Sequence, residues 1–393
     1  MPVLEQIVGG LLMLLVLADV FLTVLYARMG TGLISLHLAR GTWSMFRMLG
    51  RAAGPRRGKV LSFCGPTILV LLVMTWGLGL TLGAAMVLHP HLGTSIKASS
   101  GPTSRDFITA MFAGGGSISI VGSGSYSPQN GWLKMFYLFN SLVGMSVISL
   151  TLTYLMPIYT ALKQRNSLGL NLHIGTSQKG DAAELIAGLG PQGKFDIGYT
   201  TLVNLSDSLA QTKEAHHFYP VLFYFRFEEP FYSVSRVTNV ALDAVALIQC
   251  ALDPEEYQWL LGAGAVAEIH DASLLLLGTL QETFLPGGKA GAEFPNEPTR
   301  ELWRQRFLHA VERLRSANIS MISDVDTAAD RYMAQRARWS TQVQNLAQSM
   351  LYSEEEIDPA LVQAAGAVNE HSRALRENET QIRAQLQKNR HAS

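Results

Sequence analysis

Cysteine and charge are both scarce in this chain. It has two cysteines among 393 residues, Cys64 and Cys250, and charged residues make up only 16%. Two isolated cysteines cannot build a disulfide framework or a cysteine zinc site, so we expect buried free thiols and no metal centre. Lysine plus arginine balance aspartate plus glutamate at 31 each, which excludes the basic footprint of a nucleic-acid-binding protein. No nucleophile lies in a recognisable catalytic motif, so we do not expect an enzyme.

Apolar residues are abundant, at 48%, and they are concentrated before residue 165. Three runs, 7–26, 60–87 and 133–162, are each long enough to cross a hydrocarbon core of about 30 Å as a helix. A cleaved signal peptide is the alternative for the first run. No basic residue precedes that run and Arg28 follows it, so we interpret it as a retained transmembrane helix.

The segment between the first two runs carries positive charge alone. No acidic residue lies among its seven basic ones, which are Arg28, Arg40, Arg47, Arg51, Arg56, Arg57 and Lys59. Such loops remain in the cytoplasm. The sequence therefore predicts a multi-pass protein of the plasma membrane, or of the inner membrane in a bacterium. Its N-terminus is predicted outside, and everything after about residue 165 in the cytoplasm. Residues 32–49 predict either an amphipathic helix at the membrane surface or a connecting helix packed on the cytoplasmic domain.

The loop between the second and third runs has an unusual second half. Thr103 or Ser104 can cap a short helix that runs to about Phe112. Residues 113–128 then read Ala-Gly-Gly-Gly-Ser-Ile-Ser-Ile-Val-Gly-Ser-Gly-Ser-Tyr-Ser-Pro. Glycine adopts backbone conformations that other residues avoid, which suits an extended and closely approached backbone. Non-helical backbone at membrane depth is tolerated only inside protein or beside a water-filled cavity, so the segment predicts a re-entrant loop at a pore.

These residues resemble the pore module of two-span potassium channels: outer helix, pore helix, filter and inner helix. In that family a pore helix with Phe-x-x-Ala leads into Thr-x-Thr-Thr-Val-Gly-Tyr-Gly-Asp-x-x-Pro. Here Phe107-x-x-Ala110 leads without a gap into the string from 117 to 128. Gly144 lies twenty residues after Gly124, where the family has its hinge glycine. The resemblance covers about residues 60–162.

The resemblance implies an all-α membrane protein with a potassium-channel-like pore module, an extra N-terminal transmembrane helix and a mainly helical cytoplasmic domain. The predicted domains are a transmembrane helix over 1–29, a basic linker helix over 30–59, the pore domain over 60–162 and the cytoplasmic domain over 163–393. Each chain has one filter segment, so the resemblance implies a homotetramer. The resemblance also implies that the permeant ion is a monovalent cation, K⁺ or Na⁺. It implies no cofactor. The implied filter residues are Ser119, Ile120, Val121, Gly122, Ser123 and Gly124.

Three positions depart from the family pattern. Ile120 replaces a threonine whose hydroxyl helps to form the lowest ion site, and Ser123 replaces the tyrosine that braces the filter. Ser125 replaces an aspartate. Fewer oxygen ligands and less bracing predict a cation channel with weakened selectivity for K⁺ over Na⁺, gated through its cytoplasmic domain. The alternative is a membrane sensor or scaffold that kept the pore fold and conducts poorly.

Further positions in the apolar runs invite functional interpretation. Ile148, Leu152 and Met156 recur every four residues, which predicts either a pore-lining stripe or ordinary packing against the outer helix. Gly144 and Pro157 are interpreted as the gating hinge, since proline removes a backbone donor and bends a helix. Asp19 lies near the middle of the first run. It has either a gating or proton-sensing role or a structural polar contact, for example with a neighbouring subunit.

The remainder of the chain predicts helices with few strands. Helical patterns cover 240–252, 257–284, 301–317 and 328–351, and the aromatic stretch 216–232 suggests a domain core or a subunit interface. The string from 188 to 193 matches a dinucleotide-binding pattern, but a helical segment precedes it and Pro191 lies inside it, which disfavours that function. His216 and His217 do not form a metal-ligand pattern, and residues 354–356 suggest an acidic first helical turn. The ligand that acts on this domain is not indicated by the sequence.

Overall fold

The computed structural model describes residues 2–26, 32–119, 122, 124–285 and 296–366, and it is mostly helical. The chain forms two compact units. The first comprises Met1–Leu162 with Ala215–Arg226, and the second comprises Lys163–Glu214 with Phe227–Ser393. The sequence did not indicate that residues 215–226 would be grouped with the first unit.

The first unit contains the predicted apolar runs. Its α-helices are α1 (Pro2–Val20), α2 (Ser35–Ala52), α3 (Arg57–Ser62), α4 (Cys64–Leu88), α5 (Phe107–Ile118) and the first part of α6 (Gly131–Gly175). A π-helical turn, Phe21–Leu25, continues α1, and short 3₁₀ turns cover Gly54–Arg56 and His89–His91. Two antiparallel strands, β1 (Ile96–Ala98) and β2 (Tyr126–Pro128), pair in the loop between α4 and α6.

Four helices in the described part of the chain are long and apolar enough to cross a membrane. Three coincide with the predicted runs: α1 with its π-turn, α4 with its 3₁₀ turn, and α6. The fourth covers residues Val234–Ala251 in the second unit, where 83% of its 18 residues are buried. The bent pair of helices over Pro254–Leu261 and Gly264–Phe284 is also long and apolar enough to cross a membrane if it is counted as one span.

Helices α1 and α4 pack side by side in opposite directions. Glu5 near the start of α1 bonds His89 at the end of α4 over 2.7 Å. A Cβ on Gly9 would lie 2.6 Å from the carbonyl oxygen of Gly83, and a Cβ on Gly83 would lie 2.8 Å from that of Gly9. Small residues at both positions therefore let the two backbones approach closely, which is how helices associate in lipid.

Helix α2 buries one face against an aromatic segment of the same unit. Trp43 lies 6.5 Å from the ring of Phe223 and 6.0 Å from that of Tyr224. Both belong to a 3₁₀ turn, Pro220–Tyr224. The next aromatic residue, Phe225, packs against α4. A Cβ on Gly65 of α4 would lie 2.6 Å from its ring. The aromatic stretch thus fills a core in the first unit, one of the two interpretations that the sequence left open.

The second unit is built from ten α-helices in the described residues, the first of them the end of α6. The others are α7 (Ala182–Leu189), α8 (Asp196–Phe218, whose last turn belongs to the first unit), α9 (Val234–Ala251), α10 (Pro254–Leu261), α11 (Gly264–Phe284), α12 (Glu297–Ser316), α13 (Val325–Arg336), α14 (Ser340–Ser349) and α15 (Glu354–Ile357). Short 3₁₀ turns cover Pro191–Gly193 and Pro230–Tyr232. The predicted helix over 328–351 is two helices, and so is the one over 257–284.

A buried ionic cluster lies at the centre of the second unit. Asp243 of α9 accepts hydrogen bonds from Arg306 at 2.8 Å, from Arg336 at 2.9 Å and from Tyr332 at 2.5 Å. All four side chains are at most 3% exposed. Arg336 also pairs with Asp358. The charges compensate one another where water is excluded, and α9 is the helix that the others surround.

Candidate functional site

The predicted re-entrant segment begins with α5, a short apolar helix between α4 and α6. Its cap is Asp106, whose carboxylate accepts from the backbone N–H of Thr109 at 3.3 Å. The prediction of a Thr103 or Ser104 cap is wrong, because Thr103 Oγ1 instead accepts from the N–H of Ala98 in β1. The helix also extends beyond Phe112 to Ile118, because its three glycines remain helical against a close neighbour.

That neighbour is α4. A Cβ on Gly114 would lie 2.7 Å from the backbone nitrogen of Ala85 and 3.0 Å from the carbonyl oxygen of Thr81. Ala110 and Ala113 are fully buried beside it in a small core with Leu88. Small residues in α5 therefore let it approach the backbone of α4, which explains an alanine- and glycine-rich sequence in a helix.

The last turn of α5 is fixed to α6 by two contacts. Asn140 Nδ2 donates to Ser117 Oγ at 2.9 Å, and both side chains are buried. One turn further along α6, a Cβ on Gly144 would lie 2.0 Å from the carbonyl oxygen of Ile118. Asn140 is not among the residues predicted to be functional, although a polar residue in a predicted span is a signal for an interhelical bond.

The predicted filter follows Ile118 directly. The N–H of Ser119 still bonds Gly115, and the N–H of Gly122 bonds the carbonyl oxygen of Ser119 at 3.1 Å. Gly122 has φ +69°, the left-handed region that favours glycine. The predicted filter residues Ile120, Val121 and Ser123 lie outside the described residues.

The chain that follows the predicted filter is held by β1 and the residue after it. Ser99 Oγ donates to the carbonyl oxygen of Gly124. The backbone N–H of Ser99 donates to the carbonyl oxygen of Ser125 at 2.9 Å. The ring of Tyr126 in β2 then meets Phe112 of α5 at 6.1 Å. The segment from 119 to 126 is thus bounded by α5 at one end and by a strand pair at the other, a support that local sequence does not reveal.

The predicted stripe of α6 lies on an exposed face of the single chain. Ile148, Leu152 and Met156 are 49%, 60% and 73% exposed. Packing within the single chain therefore covers at most about half of each of these side chains. Helix α6 passes through Pro157 as one element and continues to Gly175.

Asp19 is fully buried and bonded within its own chain. Its carboxylate accepts from Nε1 of Trp76 on α4 at 2.8 Å and from the backbone N–H of Ile34 at 2.8 Å. Ser35 at the start of α2 donates to it as well. These bonds favour the structural interpretation of Asp19, because they hold α1, α2 and α4 together without a neighbouring subunit.

Comparison with known proteins finds similarity to a bacterial membrane protein. No protein-family model and no solved structure matches the chain. Over 260 residues, which are 64% of this chain and 72% of the relative, it is 24% identical to an uncharacterized membrane protein, YdjJ, of Bacillus subtilis (strain 168). This similarity and the apolar helices α1, α4 and α6 are consistent with a membrane location.

Proposed function

We propose that the chain is the subunit of a homotetrameric cation channel. Helix α4 is the outer helix, α5 the pore helix, residues 119–124 the filter and α6 the inner helix. The N-terminus lies outside the cell and the second unit in the cytoplasm, where it controls opening. The resemblance to two-span potassium channels supplies the family expectation.

The observation that carries this proposal is the packing of α5 against α4 and α6. A short apolar helix lies between two span-length helices and meets α4 through Gly114 and α6 through Gly144. It leads directly to a glycine with positive φ. Helical dipoles leave partial negative charge at the C-terminal end of a helix, and that end of α5 precedes the filter. A cation entering a pore at this point is favoured for that reason.

A ring of four subunits accounts for the exposed face of α6. Each chain has one filter segment, so a closed pore needs several copies around one axis. Ile148, Leu152 and Met156 then line the inner pore, and apolar rings of this kind gate by dewetting. Native mass spectrometry of the purified protein in detergent tests the assembly. We expect a tetramer, and a monomer or dimer contradicts the proposal.

Conduction is tested with a matched pair of glycine variants. Gly122 and Gly101 both have positive φ, at +69° and +77°, and a Cβ meets nothing within 4 Å at either position. Gly122→Ala strains the filter backbone, whereas Gly101→Ala places the same strain in the outer loop. We expect single-channel current in planar bilayers from wild type and Gly101→Ala, and its loss in Gly122→Ala. Equal currents from both variants, or none from wild type, contradict the proposed pore.

Selectivity follows from the filter residues. The carbonyl oxygens of Ile120, Val121 and Ser123 attract cations over anions, but Ile120 supplies no hydroxyl and Ser123 no aromatic brace. We expect weak discrimination between K⁺ and Na⁺ in bi-ionic reversal potentials. The double variant Ile120→Thr with Ser123→Tyr is expected to sharpen the preference for K⁺. A wild-type channel that is already strongly K⁺-selective contradicts this point and leaves the channel assignment standing.

The same departures favour a second candidate. A protein that kept the pore fold as a membrane sensor or scaffold would form the tetramer but carry little current. Tetramers that give no current under K⁺ or Na⁺ gradients, in preparations whose folding is verified, support this alternative.

A further inference from the structure

A cavity of about 250 Å³ lies in the second unit, between the end of α6 and helices α7 and α8. Two glycines lie beside it. A Cβ on Gly188 of α7 would meet nothing nearer than the carbonyl oxygen of Gly175, at 3.8 Å, so this position leaves room in the cavity. A Cβ on Gly175 of α6 would lie 3.0 Å from Leu185, so glycine there lets Leu185 of α7 approach α6 closely.

The lining of the cavity separates apolar from polar groups. Six buried leucines form its inner surface: Leu168, Leu172, Leu185, Leu189, Leu202 and Leu205. Its polar lining residues are Asn171, Thr201 and Asn204, which are exposed and mark its mouth, and the half-buried Ser208. Among the described residues, no charged side chain lines it. The depth of the cavity therefore favours hydrocarbon, and its mouth favours a group that forms hydrogen bonds.

We propose that this cavity, the leucine cavity, binds a small uncharged amphipathic molecule. The apolar end of the ligand lies among the leucines and removes their surface from water, while a hydroxyl or amide group bonds at the mouth. A carboxylate or an ammonium group is disfavoured, because burying a charge without an opposite partner is costly. Of the classes of ligand that a cytoplasmic domain meets, nucleotides, metal ions and free amino acids are therefore poor occupants.

The position of the leucine cavity suggests what binding does. Leu168, Leu172 and Gly175 are on α6, the helix that also carries Gly144 and Met156. A ligand wedged between α6 and its neighbours biases the position of the end of α6. This regulatory consequence rests on the proposed channel function, whereas binding itself does not.

Photolabelling tests the binding site directly. The probe is 3-azioctanol, a photoreactive analogue of 1-octanol, applied to the full-length protein in detergent, with adducts located by mass spectrometry. Gly188→Leu fills the cavity, and Thr201→Trp covers its mouth from an exposed position. Gly278→Leu on α11 is the matched control, because a Cβ there meets nothing within 4 Å, comparable with the 3.8 Å clearance at Gly188. Excess 1-octanol, octanoate and octylammonium are the competitors.

We expect adducts on peptides from α6, α7 and α8 that 1-octanol suppresses at least tenfold more effectively than octanoate or octylammonium. These adducts should persist in Gly278→Leu and fall at least tenfold in Gly188→Leu and Thr201→Trp. Should Gly188→Leu not fold, Thr201→Trp decides alone. Adducts confined to α1, α4 and the first part of α6, equal labelling of all variants, or equal competition by the charged analogues would overturn the proposal. Labelling does not require current, so a channel that fails to conduct leaves this result interpretable.

Discussion

At the scale of single residues, the glycine at position 144 has two explanations. The family resemblance makes it a hinge, which needs a flexible backbone. The structure adds a steric reason, because the carbonyl oxygen of Ile118 occupies the place of a Cβ at 2.0 Å. Asn140, one turn before it, bonds the same end of α5. Both residues fix α6 to the C-terminal end of α5.

Replacing Gly144 by alanine should therefore destabilise the folded protein. The methyl group forces the backbone of α5 away from α6, and overpacking of this kind costs about 1–3 kcal/mol. Thermal unfolding in detergent measures the effect. The control is Gly77→Ala on α4, where a Cβ meets nothing within 4 Å. Identical unfolding midpoints for the two variants would leave the hinge as the sole explanation of Gly144.

Glu184 should make the stability of the second unit sensitive to acid. A hydrogen bond from Arg313 at 2.7 Å, opposed by burial and aided by Lys179, holds the pKa of this carboxyl at about 2, below its ordinary 4.5. A depressed pKa in the folded state means that the ionised form stabilises the fold. That contribution is complete above pH 4.5 and is lost as the pH falls towards 2.

The variant Glu184→Gln tests this linkage. At pH 7 it should lower the free energy of unfolding by about 1.5–3 kcal/mol, the contribution of a hydrogen bond to a charged group. The difference from wild type should shrink between pH 4.5 and 2, where wild type loses the same charge. Unfolding midpoints across that range give the comparison, with the exposed Glu282→Gln as control. A difference that is constant with pH contradicts the ionic role.

At the scale of elements, α9 shows why apolar length alone does not identify a membrane span. This helix is long and apolar enough to cross a membrane, yet it contains Asn239 and Asp243. Most of its residues are buried by neighbouring helices. Asp243 bonds two arginines from α12 and α13. A helix surrounded by other helices is apolar on nearly all sides for the same physical reason as one surrounded by lipid.

Asp243→Asn should be severely destabilising. The amide keeps the size of the side chain but removes the charge opposite Arg306 and Arg336, and breaking a buried ion pair costs about 3–5 kcal/mol. Asp207→Asn on the exposed side of α8 is the matched control and should change stability little. Chemical denaturation monitored by circular dichroism measures both. Equal stability of the two variants would mean that the cluster does not depend on its central carboxylate.

At the scale of the whole molecule, the proposed topology places residues 89–106 outside and the second unit in the cytoplasm. Cysteine labelling in intact cells can test it, because both native cysteines are buried. Burial raises the pKa of the Cys250 thiol to about 11, so it remains protonated and unreactive at neutral pH. Background labelling should therefore be low.

An impermeant thiol reagent should label Lys97→Cys, an exposed position in β1, in intact cells. It should label Asn296→Cys, the cap of α12, only after the membrane is permeabilised. The expectation rests on the basic segment between the first two runs, which retains its loop in the cytoplasm. Labelling of Asn296→Cys in intact cells would invert the proposed orientation.

The sequence alone determined the features that depend on composition and local pattern. Apolar length located α1, α4 and α6. The sequence also predicted the acidic turn of α15, which begins with a capping box at Ser353. These signals lie within a few residues of the feature that they predict, so a single chain segment is sufficient to read them.

Only the tertiary structure decided which distant residues meet. The Asp19–Trp76 bond joins residues 57 positions apart, and Arg336 meets Asp243 across 93 positions. The breaks within the predicted helices over 257–284 and 328–351, and the return of residues 215–226 to the first unit, are of the same kind. Such contacts depend on the burial of whole surfaces against one another. The local propensity of a segment does not specify which distant residues it will contact.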